Sequence, residues 1–335
     1  MVERGLLDLM LARLSELSQK EKILLCESLN TEQDLIQKSK ADIEAVIGHE
    51  LAVFWDIDLI RMLAECDAAA ARLSGINWVS WNSPAYPPLL REIYDPPVLL
   101  FFRGLLPNPE SPLAAVVGTR KPSPQAAAQA FEIAKGLARG GISVVSGLAF
   151  GIDAMAHRGN IEGGAPTVAV LGSGVDEVYP SSNRPLARRI LETGGALLSE
   201  YPPGAVPHKW SFPARNRIIA GLARGVVIVE APQRSGALIT ARFAVDYNRE
   251  LWIASAGTGE GRSVGRFDRR GTVKLAGEGA GIIYSAADIL QAWNHETALA
   301  SSLAQSVGNT LGITHGITES VTNSVTESIT ESIAL

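Results

Sequence analysis

K-W-S-F-P-A-R-N-R-I-I-A-G-L-A-R-G-V-V-I-V-E-A-P-Q-R-S-G-A-L-I-T-A, residues 209–241, decides how this chain is built. It opens on a charged aromatic cluster: Lys209, Trp210, Phe212, Arg215 and Arg217. A short apolar helix pattern follows. The chain then enters Val226-Val227-Ile228-Val229, a run with no polar alternation, as expected of a strand covered on both faces. A Gly/Ser turn, Ser235-Gly236, opens the next helix. Cations and aromatic rings are thereby delivered to one edge of a sheet.

The same grammar repeats on both sides of this segment. Apolar runs recur at 114–118, 142–147, 167–172, 196–200 and 251–256, with helical stretches between them such as A-A-A-Q-A-F-E-I-A-K-G-L-A and L-A-R-R-I-L-E-T-G-G. Apolar strands alternating with helices imply a parallel sheet with helices on both faces. The expected fold class is therefore α/β, with a doubly wound, Rossmann-like sheet from about residue 113 and a last strand and helix near 280–292. Upstream, S-P-A-Y-P-P-L-L-R-E-I-Y-D-P-P-V-L-L-F-F-R-G (83–104) is Pro-rich. It ends in a run at 98–102 that suits an edge strand or an extended lead-in.

Residues 1–74 read as short helices, with Leu6, Leu9, Met10 and Leu14, and later Leu59, Leu63 and Cys66, at helical spacing. Ile47-Gly48 reads as a helix stop, with a hairpin gripping a DNA backbone as the other reading. The chain closes on I-T-H-G, I-T-E-S, V-T-N-S, V-T-E-S and I-T-E-S. A four-residue period drifts about 40° per repeat around a helix. Ser and Thr also disfavour one, so 296–335 is expected to be a poorly ordered Ser/Thr-rich tail.

Composition narrows the function classes. The chain has 335 residues, 46% of them hydrophobic, and a formal net charge of -5. The charge is unevenly spread: 10 Lys/Arg against 17 Asp/Glu over 1–110, 15 against 10 over 111–250, and 5 against 8 over 251–335. A local field, not the total, attracts a polyanion, and the middle of the chain is basic. The N-terminus is interrupted by charges and lacks a cleavage signature, and no stretch approaches the roughly 20 apolar residues of a membrane span. A cytoplasmic location with no membrane partner is expected. Cys26 and Cys66 read as reduced core thiols, without metal-ligand spacing around them, so no metal is expected.

Ligands of open parallel sheets bind beyond the carboxyl ends of the strands. Four of those ends carry small or polar residues here: Gly118-Thr119-Arg120, Ser146-Gly147, Gly172-Ser173-Gly174 and Ser235-Gly236. Glycine lets a backbone approach a phosphate, although βα turns also use it for geometry alone. Neither G-x-G-x-x-G nor G-x-x-x-x-G-K-[ST] occurs, so no dinucleotide or nucleotide cofactor is expected. Asp153 and His157, four apart, could form an acid/base pair or a plain helix contact. Glu200 and Glu230 could be acids at a site, turn caps, or partners of Arg215 and Arg217. G-x-S-x-G and H-E-x-x-H are absent, and no catalytic residue is expected. Arg120, Arg215 and Arg217 are suited to phosphates. Phe212, Tyr179 and Trp210 are suited to stacking on unpaired bases. On residues alone, salt bridging and core packing account for these side chains equally well, core packing most of all for Trp210.

The motifs also occur in a familiar order. G-T-R-x-P-S, V-V-S-G-L-A-x-G-I-D-A-x-A-H, V-A-V-L-G-S-G-V-D-x-V-Y-P-x-x-N, L-L-S-E-Y-P-P-G, F-P-A-R-N-R-I-I-A-G-L-A, V-V-I-V-E-A and S-G-A-L-I-T-A-R-F-A resemble the DNA-processing protein A family (DprA, also called Smf), over about residues 75–292. The resemblance implies an extended Rossmann DNA-binding domain at 75–295 behind a small helical SAM-like domain at 1–74. It implies a homodimer that binds single-stranded DNA, protects incoming strands and helps load the RecA recombinase during natural transformation, without enzymatic activity. The DNA site it implies comprises Arg120, Ser146, Gly147, Tyr179, Asn183, Arg215, Arg217 and Ser235; the residue reading adds Gly118, Lys209, Phe212, Asn216 and Gly236 to the expected DNA-binding set. His157, though inside a family motif, is read as structural.

The chain departs from the family pattern at Ser255-Ala256-Gly257, where Pro-Gly is usual, and in the following R-S-V-G-R-F-D-R-R (262–270). A repeat tail also stands where many relatives carry a winged-helix domain. The alternative function is a nucleotide-processing hydrolase of the "lysine decarboxylase-like" phosphoribohydrolase type. The motif of those enzymes, P-G-G-x-G-T-x-x-E, meets P-Q-R-S-G-A-L-I-T-A-R here, with no acid at the matching place. A purely protein-binding scaffold is the third reading.

Overall fold

The computed structural model describes residues 5–52, 55–109, 111–259 and 267–294. The expected tail, 296–335, and most of the Arg-rich stretch lie outside them. Residues 1–285 form one compact unit and 286–335 a second, whose described residues, 286–294, are helical.

Among the described residues the sheet of the first unit has nine strands: β1 (Asn77–Ser80), β2 (Leu99–Gly104), β3 (Leu113–Val117), β4 (Ser143–Ser146), β5 (Val168–Val170), β6 (Ala196–Ser199), β7 (Gly225–Ile228), β8 (Glu250–Ala254) and β9 (Gly281–Ile283). Their spatial order is β1-β2-β6-β5-β4-β3-β7-β8-β9. The strands from β3 onward pair in parallel, and β2 joins the sheet antiparallel to β6. From β3 the chain winds one way through β4, β5 and β6. It then returns to the other side of β3 as β7 and runs on to β8 and β9. The order of winding therefore reverses between β3 and β7.

The apolar runs form these strands because helices cover the sheet. Ala115, Val117, Val226 and Ile228 pack in one cluster with Ile218, Ile219 and Ala241. A second cluster takes in Ala169, Leu197 and Ile190, and continues through Leu7, Met10 and Leu25 of the N-terminal helices.

One strand expectation changes. The run at 98–102 is neither an edge nor a lead-in, because β2 lies between β1 and β6. Pro96 and Pro97 precede the strand, so no ladder N–H is lost. The edge on this side of the sheet is β1, N-W-V-S, too short and too mixed for its period to be read.

In the N-terminal region three helices begin with capping boxes, Ser18/Glu21, Thr31/Asp34 and Ser39/Asp42. Gly48 ends the third in the left-handed region (φ 82°), as a helix stop does. Helix Ile57–Leu73 buries Ala64, Asp67, Ala68 and Ala71, and not the face of Leu59 and Cys66. Asp67 on this buried face is gripped by Arg13 of helix Gly5–Arg13 through two hydrogen bonds. Cys66 is consequently exposed while Cys26 is buried, which corrects the expectation of two core thiols; both are free. No helix among the described residues is long and apolar enough to cross a membrane.

Candidate functional site

A cleft of about 720 Å³ opens where the winding reverses, beyond the carboxyl ends of β3 and β7. This is the place where doubly wound sheets bind ligands. Three segments meet there. The β3 turn brings Gly118, Thr119, Arg120 and Lys121. The start of helix Ser211–Leu222 brings Phe212, Arg215 and Asn216, with Lys209 just before it. The β7 turn brings Arg234, Ser235 and Gly236. Gly118 is there because of close approach: a Cβ would lie 2.7 Å from Ile152 Cγ1 and 3.0 Å from the Glu230 carbonyl.

The rim of the cleft is cationic and aromatic. Arg120, Lys121, Lys209 and Arg234 are all exposed. Tyr179 leans over Phe212 with ring centroids 5.4 Å apart, and the Arg120 guanidinium stands 5.7 Å from the Phe212 centroid. Cation and ring thus share one surface, an arrangement worth about 0.5–1 kcal/mol where exposed. Ser235 caps helix Gly236–Asp246, its hydroxyl accepting from Ala237 N–H, so that helix aims its N-terminus into the cleft. Asn216 donates to the Gly236 carbonyl at 3.1 Å and ties the two helix starts together.

The two arginines of F-P-A-R-N-R lie deeper and do different work. At 100° per residue they are about 200° apart around the helix. Arg215 lines the floor and is 4% exposed. Its Nη1 donates to the carbonyls of Gly147, at 2.8 Å, and Val170, and its Nε to Asn216 Oδ1 at 3.1 Å. Burial pushes it down to about 10, with the Asp153 carboxylate pulling it back up and Arg120 lowering it further. Asp153, also on the floor, accepts from the N–H groups of Gly147 (3.2 Å) and Ala149 (3.4 Å), and burial raises its carboxyl above the usual range.

Arg217 faces away from the cleft. Its Nη1 and Nη2 meet the two oxygens of Glu200 at 2.7 Å each, and its Nε reaches Asp95 Oδ2 at 3.1 Å. Burial pulls this guanidinium down, but the Glu200 charge and hydrogen bonds, with Asp95, outweigh it and hold it above its ordinary value. Lys22 of the N-terminal helices belongs to the same field: burial pushes it down to about 8, with Glu200 and Asp95 opposing.

The expected site therefore divides. Gly118, Arg120, Tyr179, Lys209, Phe212, Arg215, Asn216, Ser235 and Gly236 line one cleft. Ser146, Gly147, Asn183 and Arg217 do not. The Ser146 hydroxyl, fully buried, donates to the Val116 carbonyl at 2.7 Å. Gly147 is covered by the Arg215 guanidinium, which a Cβ would strike. Asn183 donates to the Leu148 carbonyl at 2.9 Å, and Leu148 holds a positive φ of 55°. These residues support the turn after β4 and do not line the cleft. Trp210 differs in the opposite direction. It is 61% exposed, stacked on His208 at 5.6 Å, and not in the core. The motif reading does not single out Lys121 and Arg234. The signal is there: each is a basic residue in a βα turn beside a reversal strand.

Asp153 and His157 do not act as a pair. The His157 Nδ1 meets Thr167 Oγ1 at 2.8 Å, and that hydroxyl donates to the Val144 carbonyl, so Nδ1 carries the proton. The ring is fully buried, and burial, followed by the Arg215 charge, pushes it down to about 3. Glu200 and Glu230 serve arginines: Glu200 takes Arg217, and Glu230 takes Arg269 at 2.6 Å. No group of three His, Cys, Asp or Glu among the described residues is placed to hold a metal ion.

The model for DNA recombination-mediator protein A matches residues 77–294, more than half of the chain and the whole of the cleft. This chain belongs to that family. Within the family it is 39% identical to DNA processing protein DprA of Bacillus subtilis over 252 residues, 74% of this chain and 79% of that protein. It is 46% identical to Protein Smf of Synechocystis over 175 residues, 51% of this chain but only 44% of that longer protein. The solved structure of DNA processing protein A from Streptococcus pneumoniae superposes with a TM-score of 0.66 at 35% identity, covering 84% of this chain and 95% of that one. A Helicobacter pylori DNA processing protein A, whose structure was described for its single-stranded DNA binding mode, superposes with a TM-score of 0.55 at 27% identity. It covers 66% of this chain and 96% of that one. The family's Rossmann-like α/β fold is thus the fold of this chain.

Proposed function

We propose that this chain binds single-stranded DNA in the cleft between the ends of β3 and β7 and acts as a DNA-processing protein in transformation, without catalysing a reaction. One observation carries the reading: four exposed cations, Arg120, Lys121, Lys209 and Arg234, ring a cleft whose wall is the Phe212–Tyr179 pair. Guanidinium and ammonium groups take phosphates, and a partly exposed ring pair takes unstacked bases. A duplex hides its base faces and cannot use the rings. Among the described residues that line the cleft, the one carboxylate is Asp153, and it lies on the floor beside Arg215 and not at the rim where phosphates would pass.

The Helicobacter relative described for its single-stranded DNA binding supports the reading. The finer parts of the proposal follow the family resemblance: residues 1–74 as a SAM-like domain before a DNA-binding domain at 75–295, homodimerisation, a cytoplasmic location and delivery of strands to the RecA recombinase.

The test is fluorescence anisotropy of labelled oligonucleotides with the intact chain. Tight binding of single strands, weaker binding of the same sequence as duplex, and no sequence preference are the expected result. Equal affinity for both forms, or none for either, overturns the reading.

A further inference from the structure

The β3 turn carries two of the four rim cations in adjacent positions, Arg120 and Lys121. Such a turn is useful only if it is held. Two like charges on a free loop would have to be ordered by the ligand, at a cost in affinity.

Glu230, just past the end of β7, holds this turn at both ends. Its carbonyl accepts from Thr119 N–H at 2.7 Å, and its Oε2 accepts from Ser123 N–H at 2.6 Å. The carboxylate is completely buried. A buried carboxylate with one backbone donor is expensive unless a cation meets it. Arg269 is that cation. Its Nε donates to Glu230 Oε1 at 2.6 Å, and its Nη2 donates to the Ser123 hydroxyl at 3.1 Å. That hydroxyl also accepts from Ala126 N–H and so caps helix Pro124–Arg139. One guanidinium thereby fixes the carboxylate, the cap and the far end of the turn together. The following helix, Arg270–Gly277, is pinned to the same strand end: Gly271 N–H donates to the Ala231 carbonyl at 3.0 Å. Arg269 lies near the end of the Arg-rich stretch 262–270.

We propose that Arg269 is a positioning residue for DNA binding: through Glu230 and Ser123 it fixes residues 119–123 so that Arg120 and Lys121 face the cleft in the unbound protein. This rests on the single-stranded DNA reading above. Arg269 needs no contact with the strand itself.

The test is a double-mutant cycle on the full chain, read by oligonucleotide anisotropy at several salt concentrations. Arg269→Gln is expected to weaken single-strand binding about tenfold. It should also flatten the salt dependence by about 0.7 in log–log slope for each phosphate that is no longer neutralised. In an Arg120→Ala/Lys121→Ala background the same change should have no further effect, because the groups it positions are gone. Arg269→Lys keeps the charge but not the fork, and should recover only part of the affinity. It is also the variant to use if Arg269→Gln does not fold. Unchanged affinity in both Arg269 variants overturns the proposal. So does a loss that is as large in the double-alanine background as in the wild type, which would mean that Arg269 touches the strand directly or that the fold as a whole is weakened. Failure of the wild-type chain to bind the oligonucleotide would instead overturn the DNA reading.

Discussion

Two sets of cations surround the start of helix Ser211–Leu222, and they differ in depth. Arg215 and Arg217 are buried and hydrogen-bonded, Arg215 to backbone carbonyls and an amide and Arg217 to carboxylates, whereas Arg120, Lys121, Lys209 and Arg234 stand exposed at the rim. The first set looks like a binding motif in the sequence and is mostly architecture. The second is scattered over three turns and becomes a surface only when the sheet brings those turns together. Basic residues in a motif do not measure available charge; what each guanidinium has already met does.

The deep set should fail by unfolding. Removing one member of a buried ion pair costs about 3–5 kcal/mol, since its partner is left charged and alone. Arg217→Ala should therefore destabilise the chain by that order in denaturant unfolding, because Glu200 loses its bidentate partner. A loss below about 1 kcal/mol, with DNA affinity falling instead, would move Arg217 to the functional set.

The rim should fail by binding alone. Phe212→Ala should lower single-strand affinity by about 1–3 kcal/mol, the value of one stacked base, with an unchanged unfolding midpoint. Phe212→Trp should restore it. Loss of stability in Phe212→Ala without loss of affinity would return the ring to the core.

A further effect, absent at neutral pH, appears on acidification. His157 is held neutral, first by burial and then by the charge of Arg215. Its folded value, about 3, lies below its unfolded value, 6.5, so the unfolded chain binds the extra proton over that window. Its contribution is complete above pH 6.5 and is lost as pH falls toward 3, at up to roughly 1.4 kcal/mol per pH unit. His157→Gln should flatten the acid limb of a stability-against-pH curve measured by circular dichroism. An unchanged limb would mean that the ring takes up a proton in the folded protein as readily as in the unfolded chain.

The alternation of apolar runs and helices makes the parallel core legible from sequence, because strands buried on both faces show no polar alternation. β1 is not legible: four residues with two outward positions carry no period. The cleft is legible as a place, since strand ends and glycines mark it, and most of its lining can be named. The depth of each side chain cannot. Whether Arg217 points at a ligand or at Glu200 depends on a partner 17 residues away across the sheet mouth. Cys66 lies on the surface because the face that packs is the one of Ala64, Ala68 and Asp67, where Asp67 meets Arg13, 54 residues away. Those are tertiary pairings that helical spacing does not encode.

The most direct measurement compares the two depths in one assay: the salt dependence of single-stranded oligonucleotide binding for Arg120→Ala/Lys209→Ala and for Arg217→Lys. The account predicts that the rim pair lowers affinity and reduces the log–log slope by about 1.4, two phosphates at roughly 0.7 each, while Arg217→Lys leaves the slope at its wild-type value. A rim pair with the wild-type slope, or an Arg217→Lys protein that is folded and has lost it, would contradict the account.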